Sequence, residues 1–180
     1  MRSRLVSLVL SASVLLLAGC GKPSADAGAP TAASVAAAPS TLPTLGPVPD
    51  FRLTTLDGAE VSAAALKGKV VVVDFWATWC GPCIAEIPGY IEMQKQYGPQ
   101  GLVIVGVSLD RKGAEHVKEF AAKRGINYAL AMGDEALVEA FGGIEAIPTT
   151  FLIDREGKVR HRKVGGMDHA AYEALVKPLL

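Results

Sequence analysis

The stretch DFWATWCGPC, residues 74–83, sets two cysteines two residues apart behind an apolar run that holds one aspartate. Residues 69–77, KVVVVDFWA, are continuous and rich in β-branched side chains, the pattern of a central strand buried on both faces. A helix is predicted over residues 81–97, with Pro88 kinking it. A strand running into a helix through so short a connection places Cys80 at the helix N-terminus and Cys83 three residues on. Positions i and i+3 share a helix face, so the two sulfurs come within disulfide reach. The first turn offers unpaired N–H groups and the positive end of the dipole, which favour a thiolate on the exposed Cys80 and make it the nucleophile. Gly81 and Pro82 form the loop between the sulfurs; proline suits a first turn, where its missing N–H is not needed. Trp79 is expected as an exposed aromatic contact for a substrate, and Trp76 packs inward.

Exchange at such a pair has two steps. The Cys80 thiolate attacks a substrate disulfide and forms a mixed disulfide; Cys83 then attacks Cys80 and releases the reduced product. Cys83 is deeper and lacks the best dipole position, so it needs a base. Two carboxylates are candidates: Asp74, on the buried strand six residues before Cys80, and Glu86, one turn after Cys83 on the same face. Burial would raise the pKa of either toward the range useful for proton transfer. An aspartate inside VVVVDFW is hard to explain otherwise, because burying it idly costs several kcal/mol, on the order of 2–7.

Outward from this centre, residues 50–180 alternate strand and helix patterns without internal repeat. A small hairpin is predicted at residues 51–62, turning at Asp57 and Gly58. A second buried strand follows at residues 102–110, and an amphipathic helix at 113–125 ends at Gly125. A short helix is expected at 134–142, a hairpin at 149–166 turning near Glu156 and Gly157, and a final helix over the last dozen residues. This order predicts an α/β fold, a mixed sheet covered by helices. Ile147-Pro148 precedes an apolar strand, and X-Pro is the bond at which a cis peptide is accessible. A cis proline there would free backbone groups with which an extended substrate peptide could pair.

The chain begins MRSRLVSLVLSASVLLLAGC, the order of a secretory signal: Arg2 and Arg4, an apolar run over residues 5–17, then small residues. LAGC at residues 17–20 resembles the bacterial lipobox, whose cysteine is acylated. Residues 1–19 are therefore expected to be removed and Cys20 to carry lipid. Residues 20–49 are mostly Ala, Pro, Ser, Thr and Gly, which predicts a disordered tether with a typical span of about 30 Å. Such a chain would hold a globular domain, residues 50–180, on the outer side of the bacterial cytoplasmic or outer membrane, in the periplasm or its equivalent. With Cys20 lipidated, only Cys80 and Cys83 of the three cysteines remain as thiols, in a compartment where disulfides persist. Lys and Arg number 18 and so do Asp and Glu, so nothing points to nucleic acid as a partner.

The motifs VVVDFWATWCGPC, Pro88 five residues after Cys83, AIPTTFLID and KVGG together resemble the thioredoxin fold across residues 50–180. The segment inserted at residues 103–132, the CGPCIAEIP continuation and the expected lipid tether resemble its TlpA/ResA-like branch, bacterial lipoproteins with a redoxin domain. The resemblance implies a protein-disulfide reductase, with Cys80 as nucleophile, Cys83 as resolving thiol, and Ile147 and the cis Pro148 beside them. Asp74 matches the buried acid of thioredoxins, and Glu86 an acid used by ResA-like members, so the principal base stays open between them. The resemblance also implies recharging by a membrane thiol-reductant conduit of the DsbD or CcdA type, with no cofactor. Clients would be envelope disulfides, including those of apocytochromes c and copper-assembly proteins. One departure is Gly106, aligned where thioredoxins carry a lysine near the buried acid. Two other classes compete: a Cu(I)-binding module built on the two thiolates, and a thiol oxidant or peroxiredoxin-like peroxidase. The peroxidase would want a hydroxyl three residues before its reactive cysteine, where Ala77 stands. His116, His161 and His169 show no metal-ligand spacing.

Overall fold

The computed structural model describes residues 42–180. The signal segment expected at residues 1–19, Cys20 and residues 21–41 of the expected tether lie outside the described residues. Along the chain come strands β1 (Gly46–Pro47), β2 (Arg52–Thr54), β3 (Glu60–Ser62) and β4 (Val70–Trp76), then helix α1 (Gly81–Tyr97). Next are β5 (Leu102–Ser108), α2 (Ala114–Arg124), β6 (Ala129–Met132) and α3 (Glu135–Ala140). The chain closes with β7 (Thr149–Ile153), β8 (Lys158–Val164) and α4 (His169–Val176), followed by a 3₁₀ turn over Lys177–Leu179.

The main sheet has the order β1-β8-β7-β4-β5-β6, with β4, β5 and β6 parallel and β7, β8 and β1 joined antiparallel. This is the mixed α/β sheet that the strand and helix patterns predicted. Every residue of β4 is buried, as its unbroken apolar run demands. Alternation along the strand sends Val71, Val73 and Phe75 into a core shared with Phe141, Phe151 and Val107. Val70 and Val72 point the other way, against Tyr90 and Met93 of α1 and Tyr172 and Val176 of α4. Each fully buried valine contributes on the order of 2 kcal/mol. By the same alternation Asp74 faces the side covered by α1 and α4. A carboxyl group therefore stands in an apolar layer, where burial penalises its charged form.

Two expectations needed revision. The boundary at residue 50 falls inside packed chain: Gly46–Pro47 pair with β8, and the Leu45 and Val48 N–H groups bond the carbonyls of Val159 and Gly157, both at 2.8 Å. An Ala/Pro-rich composition does not prevent a two-residue edge strand when a partner supplies the hydrogen bonds. The segment ALAM, expected only as part of an insertion, forms β6 along β5. Helix α1 spans the residues expected, with Pro88 inside it. The other boundaries follow the sequence closely. In particular, α2 stops at Gly125, whose φ of 66° lets its N–H turn back to the carbonyls of Ala121 and Ala122.

Candidate active site

The strand β4 ends at Trp76, and after four intervening residues α1 begins at Gly81, so Cys80 becomes its N-cap. The Cys80 side chain accepts the Cys83 N–H at 3.3 Å, a position usually taken by a Ser, Thr or Asp oxygen. Pro82 occupies the first turn, where no N–H is missed. The two sulfurs are joined as a disulfide with Cα atoms 5.3 Å apart. In this oxidised form Cys80 is 5% exposed and Cys83 1%, so the expectation of a freely exposed first cysteine is corrected. The Ile147 carbonyl oxygen is 3.7 Å from the Cys80 sulfur. Ile147-Pro148 is cis, with Ile147 half-buried and Pro148 buried. Trp79 stands out at 67% exposure, while Gly81 and Pro82 are exposed beside it. Trp76 is buried, as expected.

The loop that carries the cysteines is held from below by a polar clamp that the sequence reading missed. Asp110, just past the end of β5, accepts the Thr78 N–H at 2.8 Å, the Thr78 hydroxyl at 2.6 Å and the Ser108 hydroxyl at 2.9 Å. His116 of α2 lies 3.1 Å from the same Thr78 oxygen. Thr78 has one hydroxyl proton and gives it to the carboxylate, so the His116 Nε2–H must be the donor. An acid closing the apolar run of residues 102–109, six residues before a histidine, was the available signal.

Both carboxylate candidates are buried, Asp74 at 4% exposure and Glu86 at 8%. Burial lifts the Asp74 pKa to about 8, the nearby Glu86 charge adds to the rise, and a hydrogen bond from Thr150 offsets part of it. Thr150 is in register with Asp74 across β7, and its Oγ1 donates to Asp74 Oδ1 at 3.1 Å. On the other side Gly106 of β5 is in register with Asp74, the position of the departure noted above. A Cβ added there would come within 2.7 Å of Leu130 Cδ2 and 3.0 Å of Trp76 Nε1, so no longer side chain fits. Asp74 thus has no cation opposite it on β5.

Glu86 Oε1 accepts the Met167 N–H at 2.6 Å, while Oε2 has no hydrogen-bond partner among the described residues. Burial raises the Glu86 pKa, against the pull of that bond, of the Tyr172 hydroxyl and of the Lys163 charge. Glu86 lines a cavity of about 450 Å³ with Pro82, Tyr90, Met167, His169 and Tyr172. Tyr90 and Tyr172 stay neutral phenols, because burial drives both pKa values up. Asp74 on β4 and Glu86 on α1 are thus two buried acids, and a charge on Glu86 disfavours one on Asp74. Among the described residues no group of three His, Cys, Asp or Glu is placed to hold a metal ion, and no helix is long and apolar enough to cross a membrane.

Comparison with known proteins agrees with this geometry. The redoxin family model matches residues 45–176. Thiol-disulfide oxidoreductase ResA of Bacillus subtilis (strain 168) is 36% identical over 135 residues, covering 72% of this chain and 74% of that protein. ResA of Bacillus anthracis is 32% identical over 131 residues, 73% of this chain and 75% of the relative. The crystal structure of a thiol:disulfide interchange protein of the thioredoxin family from Chlorobium tepidum TLS superposes with a TM-score of 0.70 at 37% identity. It covers 79% of this chain and 99% of its own. A C-x-x-C at a helix N-terminus, the cis proline near it and these relatives converge: the chain belongs to the redoxin family, as a TlpA/ResA-like thiol–disulfide oxidoreductase.

Proposed function

We propose that this oxidoreductase works as an electron donor in the bacterial cell envelope, reducing disulfides in exported proteins. The observation that carries the reading is the pairing of Cys80, held as an N-cap, with two buried acids, Asp74 on the strand that leads into the C-x-x-C and Glu86 one turn after Cys83 on α1. In the reduced protein the Cys80 thiolate attacks a client S–S bond, forming a mixed disulfide and releasing one client thiolate. Cys83 gives its proton to a carboxylate, attacks Cys80 Sγ and expels the second client thiolate. Two electrons pass to the client, and the Cys80–Cys83 disulfide remains. Resolution depends on deprotonating a buried thiol, and a carboxylate with its pKa near 8 accepts that proton far better than an ordinary aspartate would. Trp79, Gly81, Pro82 and Ile147 surround the reactive sulfur and supply a surface on which a client segment rests.

In this reading the chain is anchored through a lipid on Cys20, and the tether lets the domain reach clients and a membrane thiol-reductant conduit of the DsbD or CcdA type, which recharges it. Clients are exported proteins whose cysteine pairs must be thiols before heme or copper is inserted, apocytochromes c among them. The test is a trap. Cys83→Ser cannot resolve the mixed disulfide, so client proteins should accumulate on Cys80 and be released by dithiothreitol, while Cys80→Ser captures none. Absence of trapped species, together with failure of the reduced wild type to cleave insulin disulfides, would contradict the proposal.

A further inference from the structure

Each turnover moves one proton onto or off Cys83, yet Cys83 and Asp74 are both sealed from solvent in the oxidised protein. A continuous hydrogen-bonded path nevertheless leads away from Asp74. Tyr172 Oη donates to Thr150 Oγ1 at 2.7 Å, and Thr150 Oγ1 donates to Asp74 Oδ1 at 3.1 Å. Tyr90 Oη lies 3.4 Å from the same Thr150 oxygen. The proton count fixes the polarity. Thr150 has one hydroxyl proton and gives it to Asp74, so it receives that of Tyr172, and both donors point toward the carboxyl group. At its far end Tyr172 lines the cavity of about 450 Å³ beside α1 and α4, shared with Glu86, Tyr90 and Pro82. The opposite side is closed. Gly106 offers no side chain there, and Leu130, Trp76 and Tyr128 fill the space above it.

We propose that Thr150 and Tyr172 are a proton relay that connects Asp74 to the cavity beside α1 and α4. The relay rests on the reading of Cys83 as the resolving thiol. On recharging, the Cys80–Cys83 bond breaks and Cys83 leaves as a thiolate. It takes the carboxyl proton of neutral Asp74, directly or through a water, while Asp74 Oδ1 takes the Thr150 proton. Thr150 takes that of Tyr172, and Tyr172 takes one from water in the cavity. One proton enters for each thiol formed, and no electron moves along the path. During client reduction the hydroxyls turn over and the same proton leaves. The groups facing this path are Glu86 and Tyr90 from α1, Tyr128 from the segment before β6, and Tyr172 from α4, with the Lys163 charge from β8 acting on Glu86. The in-register partner on β5, Gly106, adds none.

A purely structural role for the two hydroxyls, satisfying a buried acid, makes different predictions. The test follows single-turnover oxidation of the reduced full chain by insulin across the titration range of Asp74, with and without added imidazole. Tyr172→Phe keeps the ring and removes the proton, and should slow resolution about tenfold, less than the roughly 10²–10⁴-fold that a group acting directly on the transferred proton contributes. Imidazole, small enough to enter the cavity, should restore much of the rate. Thr150→Val should slow the step similarly but add nothing to Asp74→Asn, because the relay acts only through Asp74. Tyr97→Phe, whose hydroxyl donates to Glu173 away from the path, serves as the control. Should Thr150→Val fail to fold, Tyr172→Phe alone decides. A folded Tyr172→Phe protein with the wild-type rate and pH profile overturns the relay. A loss that imidazole does not relieve and that adds fully to Asp74→Asn overturns it equally. In both cases insulin is still reduced by the wild type; if the wild type itself leaves insulin intact, the reductase reading falls and the relay with it.

Discussion

Replacing Asp74 by Asn should remove most of a steep pH dependence from the stability of the oxidised protein. Asp74 titrates near 3.8 in an unfolded chain and at about 8 in the folded one. Between these values the folded state holds a proton that the unfolded state has lost, so unfolding releases one. Stability therefore falls as pH rises through this window, with a slope approaching about 1.4 kcal/mol per pH unit. Below the window the group is protonated in both states and contributes no slope; above it the full penalty is in place. Across the roughly four pH units involved, the penalty reaches about 6 kcal/mol as a ceiling, reduced by whatever relaxation admits water to the charge. Against a total stability of about 5–15 kcal/mol for a domain, that is large. Asn carries no charge and should show none of this slope, apart from what Glu86 adds in both proteins. Guanidinium unfolding followed by tryptophan fluorescence, with the disulfide intact so that no thiol titrates, gives the curves. The Asn variant should gain on wild type progressively as pH rises from 3.8 toward about 8, then hold its lead. A gap that is constant over this range, or that widens as pH falls, would refute the assignment of a buried, proton-holding Asp74.

Three further outcomes are expected. Glu86→Gln keeps an acceptor for the Met167 N–H but removes a charge that opposes ionisation of Asp74. It should slow mixed-disulfide resolution about tenfold while moving the Asp74 inflection to lower pH, both read from a pH–rate profile. Asp110→Ala leaves the Thr78 N–H, the Thr78 hydroxyl and the Ser108 hydroxyl without their acceptor. It should cost about 2–3 kcal/mol in chemical denaturation and broaden the reactivity of Cys80 toward small alkylating agents. Gly106→Ala forces a Cβ to within 2.7 Å of Leu130 Cδ2, so a loss of about 1–3 kcal/mol in unfolding free energy is expected where a surface glycine would show little.

The features that were legible in the sequence are those that local chemistry specifies. The run over residues 70–76 could only be a strand buried on both faces, and Cys80-Gly-Pro-Cys83 after it could only begin a helix. Asp74 stood out because an acid in such a run has no bland explanation, and Glu86 because it follows Cys83 by one turn. Edge strands were not legible. Gly46–Pro47 is two residues long and exists because β8 offers an edge to it, while β6 is a four-residue run that reads equally well as a loop. The relay and the clamp were hidden for a related reason. Thr150 and Tyr172 are separated from Asp74 by 76 positions or more, and only the β4/β7 register and the docking of α4 bring them together. Asp110 is local to its strand end, but its partner Thr78 is 32 residues away. Pattern within a segment reveals burial; partnership between segments requires the fold.

The central claim, donation of electrons to clients, is tested most directly by the reduction potential of Cys80–Cys83, measured in the folded protein against defined thiol buffers. The account predicts a low potential near that of thioredoxin, about −270 mV, at which the reduced pair gives its electrons to client disulfides. A value near that of DsbA, about −120 mV, would contradict it and make the protein an oxidant of newly exported thiols.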